Sequence, residues 1–218
     1  MKIKSLMLMA LIVLNFGCKS SSSTTAAATS TGGTSGVLSV SQLAGDANSA
    51  CTAIPGSAGS AFSGYYYISS LHSNSSGSGY YSLNTYSNSA CNGTGINAFG
   101  LTLWGTYSTA GSATSPSGAT NLIFTVSSVT ITPHTATWAT NLATACGGSF
   151  TSGSNTTVTG LPCSGSGTIS AMNFAGASDT HFNVGTLSGT TFSISTPTSV
   201  WSFGNATYPT STGFNLIF

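Results

Sequence analysis

Charge is what this sequence most lacks. The 218 residues contain no Arg and no Glu, with 3 Lys and 2 Asp as the charged residues. They make up 2% of the chain, against about 25% in an ordinary soluble domain. Lys2 and Lys4 fall within an export signal, so the mature chain keeps Lys19, Asp46 and Asp179 as its acidic and basic side chains.

Each absence removes a class of function. One Lys and no Arg cannot neutralise a phosphate backbone, which excludes nucleic acid as a partner. A glycosidase-type carboxylate pair would have to be Asp46 and Asp179, far apart in the chain. Phosphate loops lack their Lys, calcium loops lack their carboxylates, and no G-x-S-x-G or H-E-x-x-H occurs. No cofactor and no metal is expected. An Asp179–His181 dyad could share one face of a strand. Serine is so abundant that a hydroxyl near it carries no weight, and the chain reads as non-catalytic.

What is there instead is hydroxyl and ring. Ser (41), Thr (34) and Gly (27) approach half the chain, while 11 Phe, 8 Tyr and 3 Trp supply core material. That aromatic content and the missing charge repulsion fit a folded domain rather than a disordered one.

The first residues read as a secretory signal over 1–17: basic Lys2 and Lys4, an apolar stretch Leu6–Leu14, and Gly17 before Cys18. The apolar stretch is too short for a permanent span. Leu14-Asn15-Phe16-Gly17-Cys18 resembles a relaxed bacterial lipobox, which makes Cys18 the expected lipid-attachment residue. Residues 18–36 then form a Ser/Thr/Ala/Gly tether with no aromatic and no large aliphatic side chain. Such a segment spans roughly 20–25 Å as a flexible coil. Residues 37–218 remain for a single domain. The expected location is a bacterial cell envelope, with the membrane as partner through the anchor.

Cys51, Cys91, Cys146 and Cys163 are even in number in an exported chain, so disulfides are the default reading. Four cysteines allow three connectivities. The sequential one, Cys51–Cys91 with Cys146–Cys163, is the expected one.

Period-two alternation recurs through the domain. Along 121–132 one face holds Leu122, Phe124 and Val126; after Ser127 and Ser128 the pattern restarts at Val129 and Ile131. That offset predicts a bulge or bend. Further strands are expected at 62–71, 80–86, 101–107, 156–160, 168–174, 181–187, 190–195, 200–203 and 213–218. Gly, Asn, Ser and Pro separate them. The fold class is mainly β, an antiparallel barrel or sandwich with one short helix over about 133–145. Thr132-Pro133 reads as the helix cap and first residue, and Gly147-Gly148 as its stop.

In order along the chain, several motifs resemble one known family. They are Tyr86-Ser-Asn-Ser-Ala-Cys91, Trp104-Gly-Thr-Tyr107, Val129-Thr-Ile-Thr-Pro-His134, Asn141-Leu142, Cys146-Gly147, Gly153, Val158 and Cys163. Together with Asp179-Thr-His-Phe-Asn-Val184 they resemble the extracellular APCDD-type domain ("APC down-regulated") of a membrane-bound Wnt antagonist, over about residues 62–205. Phe150 stands where that family usually has Trp. The resemblance implies a lipocalin-like, partly open β-barrel with disulfides and a lipid-accepting cavity.

The leading expectation is an exported lipoprotein whose barrel binds a small apolar or acylated molecule, with Trp104, Phe124 and Trp201 lining the cavity. The alternative is an adhesive or structural module. It would recognise a glycan or a protein through its uncharged, hydroxyl-rich face, with Tyr65, Tyr66 and Tyr67 among the contacts. The C-terminal Phe214-Asn215-Leu216-Ile217-Phe218 resembles the closing strand of outer-membrane barrels, but reads better as an ordinary core strand.

Overall fold

A computed structural model describes residues 36–92, 98–196 and 204–218. The expected signal over 1–17, Cys18, the expected tether as far as residue 35, Trp201 and the expected strand at 200–203 lie outside the described residues.

In chain order the first strands are β1 (Gly45–Ser49), β2 (Thr52–Ala53), β3 (Tyr66–Ser73), β4 (Ser78–Tyr86), β5 (Phe99–Ser112) and β6 (Thr120–Pro133). The helix α1 (Ala136–Cys146) follows. Then come β7 (Thr156–Thr157), β8 (Pro162–Cys163), β9 (Met172–Asn173), β10 (Thr180–Ser188), β11 (Thr191–Ile194) and β12 (Phe214–Ile217). Eight of them form an antiparallel barrel in the order β1-β12-β11-β10-β6-β5-β4-β3, and β3 pairs back to β1. Strand β1 is therefore bonded on both sides, with Asn48 opposite Ile217 and Asp46 opposite His72. Closure leaves the wall of eight described strands without a free edge, so the wall offers none for another chain to extend. The wall is complete, where the family resemblance implied a partly open one.

An eight-stranded barrel is just wide enough for side chains to fill. Here they do. Leu71, Tyr81, Leu101, Phe124, Phe192 and Leu216 all point inward and are at most 1% exposed. Several buried hydroxyls are partnered, as burial demands: Ser69 Oγ and Tyr81 OH lie 2.7 Å apart, and Thr85 Oγ1 donates to Phe99 O at 2.7 Å. Burial raises the Tyr81 phenol far above its ordinary pKa.

Both barrel ends are covered. At one end Trp138 of α1 packs on Phe62 and Phe99 with ring centroids 4.9 and 5.8 Å apart. At the other a 3₁₀ turn, Val40–Leu43, buries Leu43, whose carbonyl accepts from Ser73 Oγ at 2.6 Å. The helix buries Trp138, Ala139, Leu142 and Ala145. It starts later than the sequence reading placed it. Thr132 and Pro133 are still strand, opposite Gly100 and Phe99, and the cap is Thr135, whose side chain accepts from Trp138 N at 3.2 Å.

Several expected strands are shorter than read, 62–71 among them, which begins only at Tyr66. Residues 168–174 yield only β9, paired with β8, and 156–160 only β7 on the flank of β6. The expected offset in β6 is a β-bulge: the register steps from Trp104↔Ser128 to Gly105↔Val126, leaving Ser127 extra.

Both expected disulfides are formed, Cys51–Cys91 and Cys146–Cys163, at sequence separations of 40 and 17. On the chain-entropy account they stabilise by about 4 and about 3 kcal/mol. The first ties the segment after β1 to the β4–β5 connection, and the second ties the last residue of α1 to β8. Neither lies within the wall of eight.

The outer wall is hydroxyl. Ser70, Ser82, Thr102, Thr130 and Thr157 stand side by side along one register row crossing β3, β4, β5, β6 and β7. Apolar inside and hydroxyl outside is the reverse of a transmembrane barrel, whose apolar band faces lipid. Among the described residues no helix is long and apolar enough to cross a membrane.

Candidate functional site

One row beyond those hydroxyls, aromatic groups take over. Asp46, His72, Tyr80, Trp104 and Ser128 are successive cross-strand partners on β1, β3, β4, β5 and β6. Side chains directly opposite on antiparallel strands lie close enough to touch, and these do. Asp46 Oδ1 is 2.6 Å from His72 Nδ1. The His72 ring stacks on Tyr80 at 5.0 Å and 20°, and Tyr80 meets Trp104 at 4.9 Å with a 59° tilt. Trp104 is 43% exposed, the most open aromatic side chain of the described residues.

The next row along the strands is hydroxyl again, with Ser78, Thr106, Thr125 and Thr180 in register. Between the two rows lies the pair Gly79↔Gly105. Neither can carry a side chain. A Cβ on Gly79 would stand 1.9 Å from His72 O, and one on Gly105 would stand 2.3 Å from Thr125 O. Both positions face the barrel interior, on the side of Tyr81 and Leu103, so only backbone lies between the ring wall and the hydroxyl wall. A groove of about 510 Å³ results, lined by His72, Ser78, Gly79, Tyr80, Trp104, Gly105, Thr106 and Ser127. The bulge puts Ser127 and Ser128 at the far end of the ring wall, where side-chain bulk stops.

The groove's chemistry is apolar face, hydroxyl and one carboxylate. Amphipathic rings such as Tyr and Trp suit contacts that are apolar on one side and wet on the other. No Lys or Arg occurs after Lys19, so no Lys or Arg stands at the groove to hold an anion. The single carboxylate that joins the row, Asp46, is 73% exposed and orients His72.

Two of the sequence-predicted cavity residues, Trp104 and Phe124, stand on opposite faces of the wall. Trp104 is on the outer wall. Phe124 is inside, fully buried against Tyr107 at 4.6 Å. Trp201 is outside the described residues. Of the consecutive tyrosines, Tyr65 abuts Trp138 at the covered barrel end, Tyr66 is opposite Tyr86, and Tyr67, its phenol pKa raised by burial, is opposite Thr85. Besides Tyr80, the ring residue that sequence reading missed at the groove is His72, with Asp46 beside it. They lie 26 positions apart, and only the register of β1 on β3 brings them together.

Other features offer less. The Asp179–His181 pair does not build a base: Asp179 accepts from Gly176 N at 2.6 Å, and His181 Nε2 is buried without a hydrogen-bond partner among the described residues. Burial lowers the His181 pKa, and the opposing pull of Asp179 is the smaller. A second groove, about 760 Å³, runs between α1 and Phe150 and is lined by Ala, Thr, Ser and Gly. It holds no charged group. No group of three His, Cys, Asp or Glu is placed to hold a metal ion among the described residues.

No family model matches the chain, and no curated protein matches it.

Proposed function

We propose that this chain is an exported, lipid-anchored binding module that recognises carbohydrate through the groove on its outer wall, without chemistry. The observation that carries the reading is the line of rings ending in exposed Trp104 beside a parallel line of hydroxyls. A sugar ring has an apolar face and a hydroxyl rim, and the two walls of the groove offer a partner to each. Exposed rings gathered on one surface mark interaction sites. The apolar-ligand reading needs interior room, and Tyr81, Phe124 and Phe192 stand where such a ligand would lie.

Export and anchoring rest on the signal over 1–17 and on Cys18, and the tether that follows would hold the barrel clear of the bilayer. The place this assigns is the bacterial cell envelope, with the membrane as partner through the anchor. Members of the APCDD-type family, which the sequence resembles, accept lipid in a barrel cavity. The site supported here is on the opposite face of the same wall.

A glycan array probed with the full chain tests the reading. Binding is expected, with Trp104→Ala and Tyr80→Ala each weakening it by about tenfold or more while the thermal midpoint moves little. Absence of any saccharide signal overturns the reading, and so does binding that both variants retain.

A further inference from the structure

We propose that the occupant of this groove is an extended oligosaccharide laid across the strands, neutral or amine-bearing, with one end against Trp104 and the other beside the Asp46 carboxylate. The inference rests on the carbohydrate reading above and adds length, direction and charge to it.

Direction follows from register. The ring wall is the row His72↔Tyr80↔Trp104 and the hydroxyl wall is the row Ser78↔Thr106, both perpendicular to the strands. Between them the pair Gly79↔Gly105 faces the barrel interior, so only backbone separates the two walls. A chain laid along the strands would collide with both walls, whereas one laid across them runs unobstructed over bare backbone.

Length follows from the strand count. From His72 on β3 to Ser127 on β6 the groove crosses three strand spacings, about 14 Å in all, which accommodates about three pyranose rings end to end.

The ring wall also sets where the tightest contact falls. His72 and Tyr80 are nearly parallel, 20° apart, so they cover one another's faces. Trp104, tilted 59° from Tyr80, keeps indole surface open. Its neighbour on β6 is Ser128, with the bulged Ser127 beside it. At the rung after Trp104 the wall therefore has two small side chains, and a sugar ring can take that place.

Charge completes the description. The described barrel has no Lys or Arg to meet a carboxylated or sulfated sugar, and Asp46 repels one at the β1 end. An ammonium group on a hexosamine meets that carboxylate favourably, as like and unlike charges at such distances require.

Calorimetric titration of the full chain decides the matter with three probe series of one to five rings: cello-oligosaccharides, chitosan oligomers and oligogalacturonides. Affinity is expected to rise about tenfold or more from one ring to three and to change little beyond. Chitosan oligomers are expected to bind at least as well as the neutral series, and oligogalacturonides the least. Asp46→Asn should remove the preference for amines. Ser127→Lys, on an exposed bulge outside the core, should shift the preference towards oligogalacturonides. Affinity independent of length, or equal binding of the anionic series, overturns the inference while the carbohydrate reading stands. The same holds if none of the three series binds but the array responds to compact or branched glycans. No saccharide binding in either experiment overturns both.

Discussion

Asp46 and His72, joined at 2.6 Å, face each other across β1 and β3, the seam that closes the barrel. Their side chains are 73% and 41% exposed. An exposed pair of this kind contributes about 0.2–1 kcal/mol, so the contact decorates the seam without holding it. What holds it is the ladder itself and Ala47, fully buried on the inner face of β1.

The first prediction contrasts those two faces. Asp46→Asn should lower stability by less than about 1 kcal/mol. Ala47→Asp, one residue on, puts an unpaired carboxylate into the core and should cost about 3 kcal/mol or more. Urea midpoints of the two variants give the comparison, and equal midpoints would contradict the assignment of faces.

A second prediction concerns the groove floor. An alanine methyl at Gly105 would press on Thr125 O and, at 2.7 Å, on the Phe124 ring. Gly105→Ala should destabilise by about 1–3 kcal/mol as an overpacked core does. Gly167→Ala meets nothing within 4 Å and should be close to neutral. Thermal unfolding of the pair measures the difference.

The third is a pH dependence with a definite sign. Burial lowers the pKa of His181, and of His134 as well, so the folded chain binds these protons more weakly than the unfolded chain does. Stability from this source is complete above the unfolded value of about 6.5 and is lost as pH falls towards the lower folded values. The urea midpoint should therefore be lower at about pH 5 than at about pH 7.5. His181→Gln should flatten part of that slope, and a midpoint that rises on acidification would contradict the burial of this ring.

The fourth follows from the neutral pairs that replace ion pairs across the strands. Ser70 Oγ donates to Asn48 Oδ1 at 2.6 Å, and Ser193 Oγ to Asn215 Oδ1 at 2.7 Å, each between facing residues of adjacent strands. Screening cannot weaken a contact between uncharged groups. The urea midpoint should change little between low and moderate NaCl, with only the gentle rise that general salting-out gives at high concentration. A marked fall on adding salt would show an electrostatic contribution that these residues do not contain.

Much of the barrel could be read from the chain because its long strands alternate cleanly. The 121–132 stretch even showed its bulge, since an extra residue must shift the apolar face by one. Strand β1 could not be read that way. Gly-Asp-Ala-Asn-Ser offers a single apolar side chain, so hydrophobic periodicity has nothing to act on, yet this segment closes the wall. The helix start was misplaced for a related reason: Thr132 and Thr135 are both acceptable caps, and only the continued pairing of β6 with β5 decides between them. The groove was the least legible part. Trp104 stood out by residue type, but Tyr80 and His72 join it through the register of three strands, and sequence spacing carries no trace of that row.

The position of the first disulfide has a mechanical consequence. A pull on the N-terminal segment first meets Leu38 and the turn Val40–Leu43 on the barrel end, then β1, which hydrogen bonds on both sides to β3 and β12. Should those bonds shear, the next residues to bear load include Cys51, which is covalently joined to Cys91. Unravelling from that end therefore meets a bond that does not yield to forces able to peel a strand, before β3 is reached. A domain pulled from its N-terminal end would part with at most the segment before Cys51 and keep the ring-lined face intact.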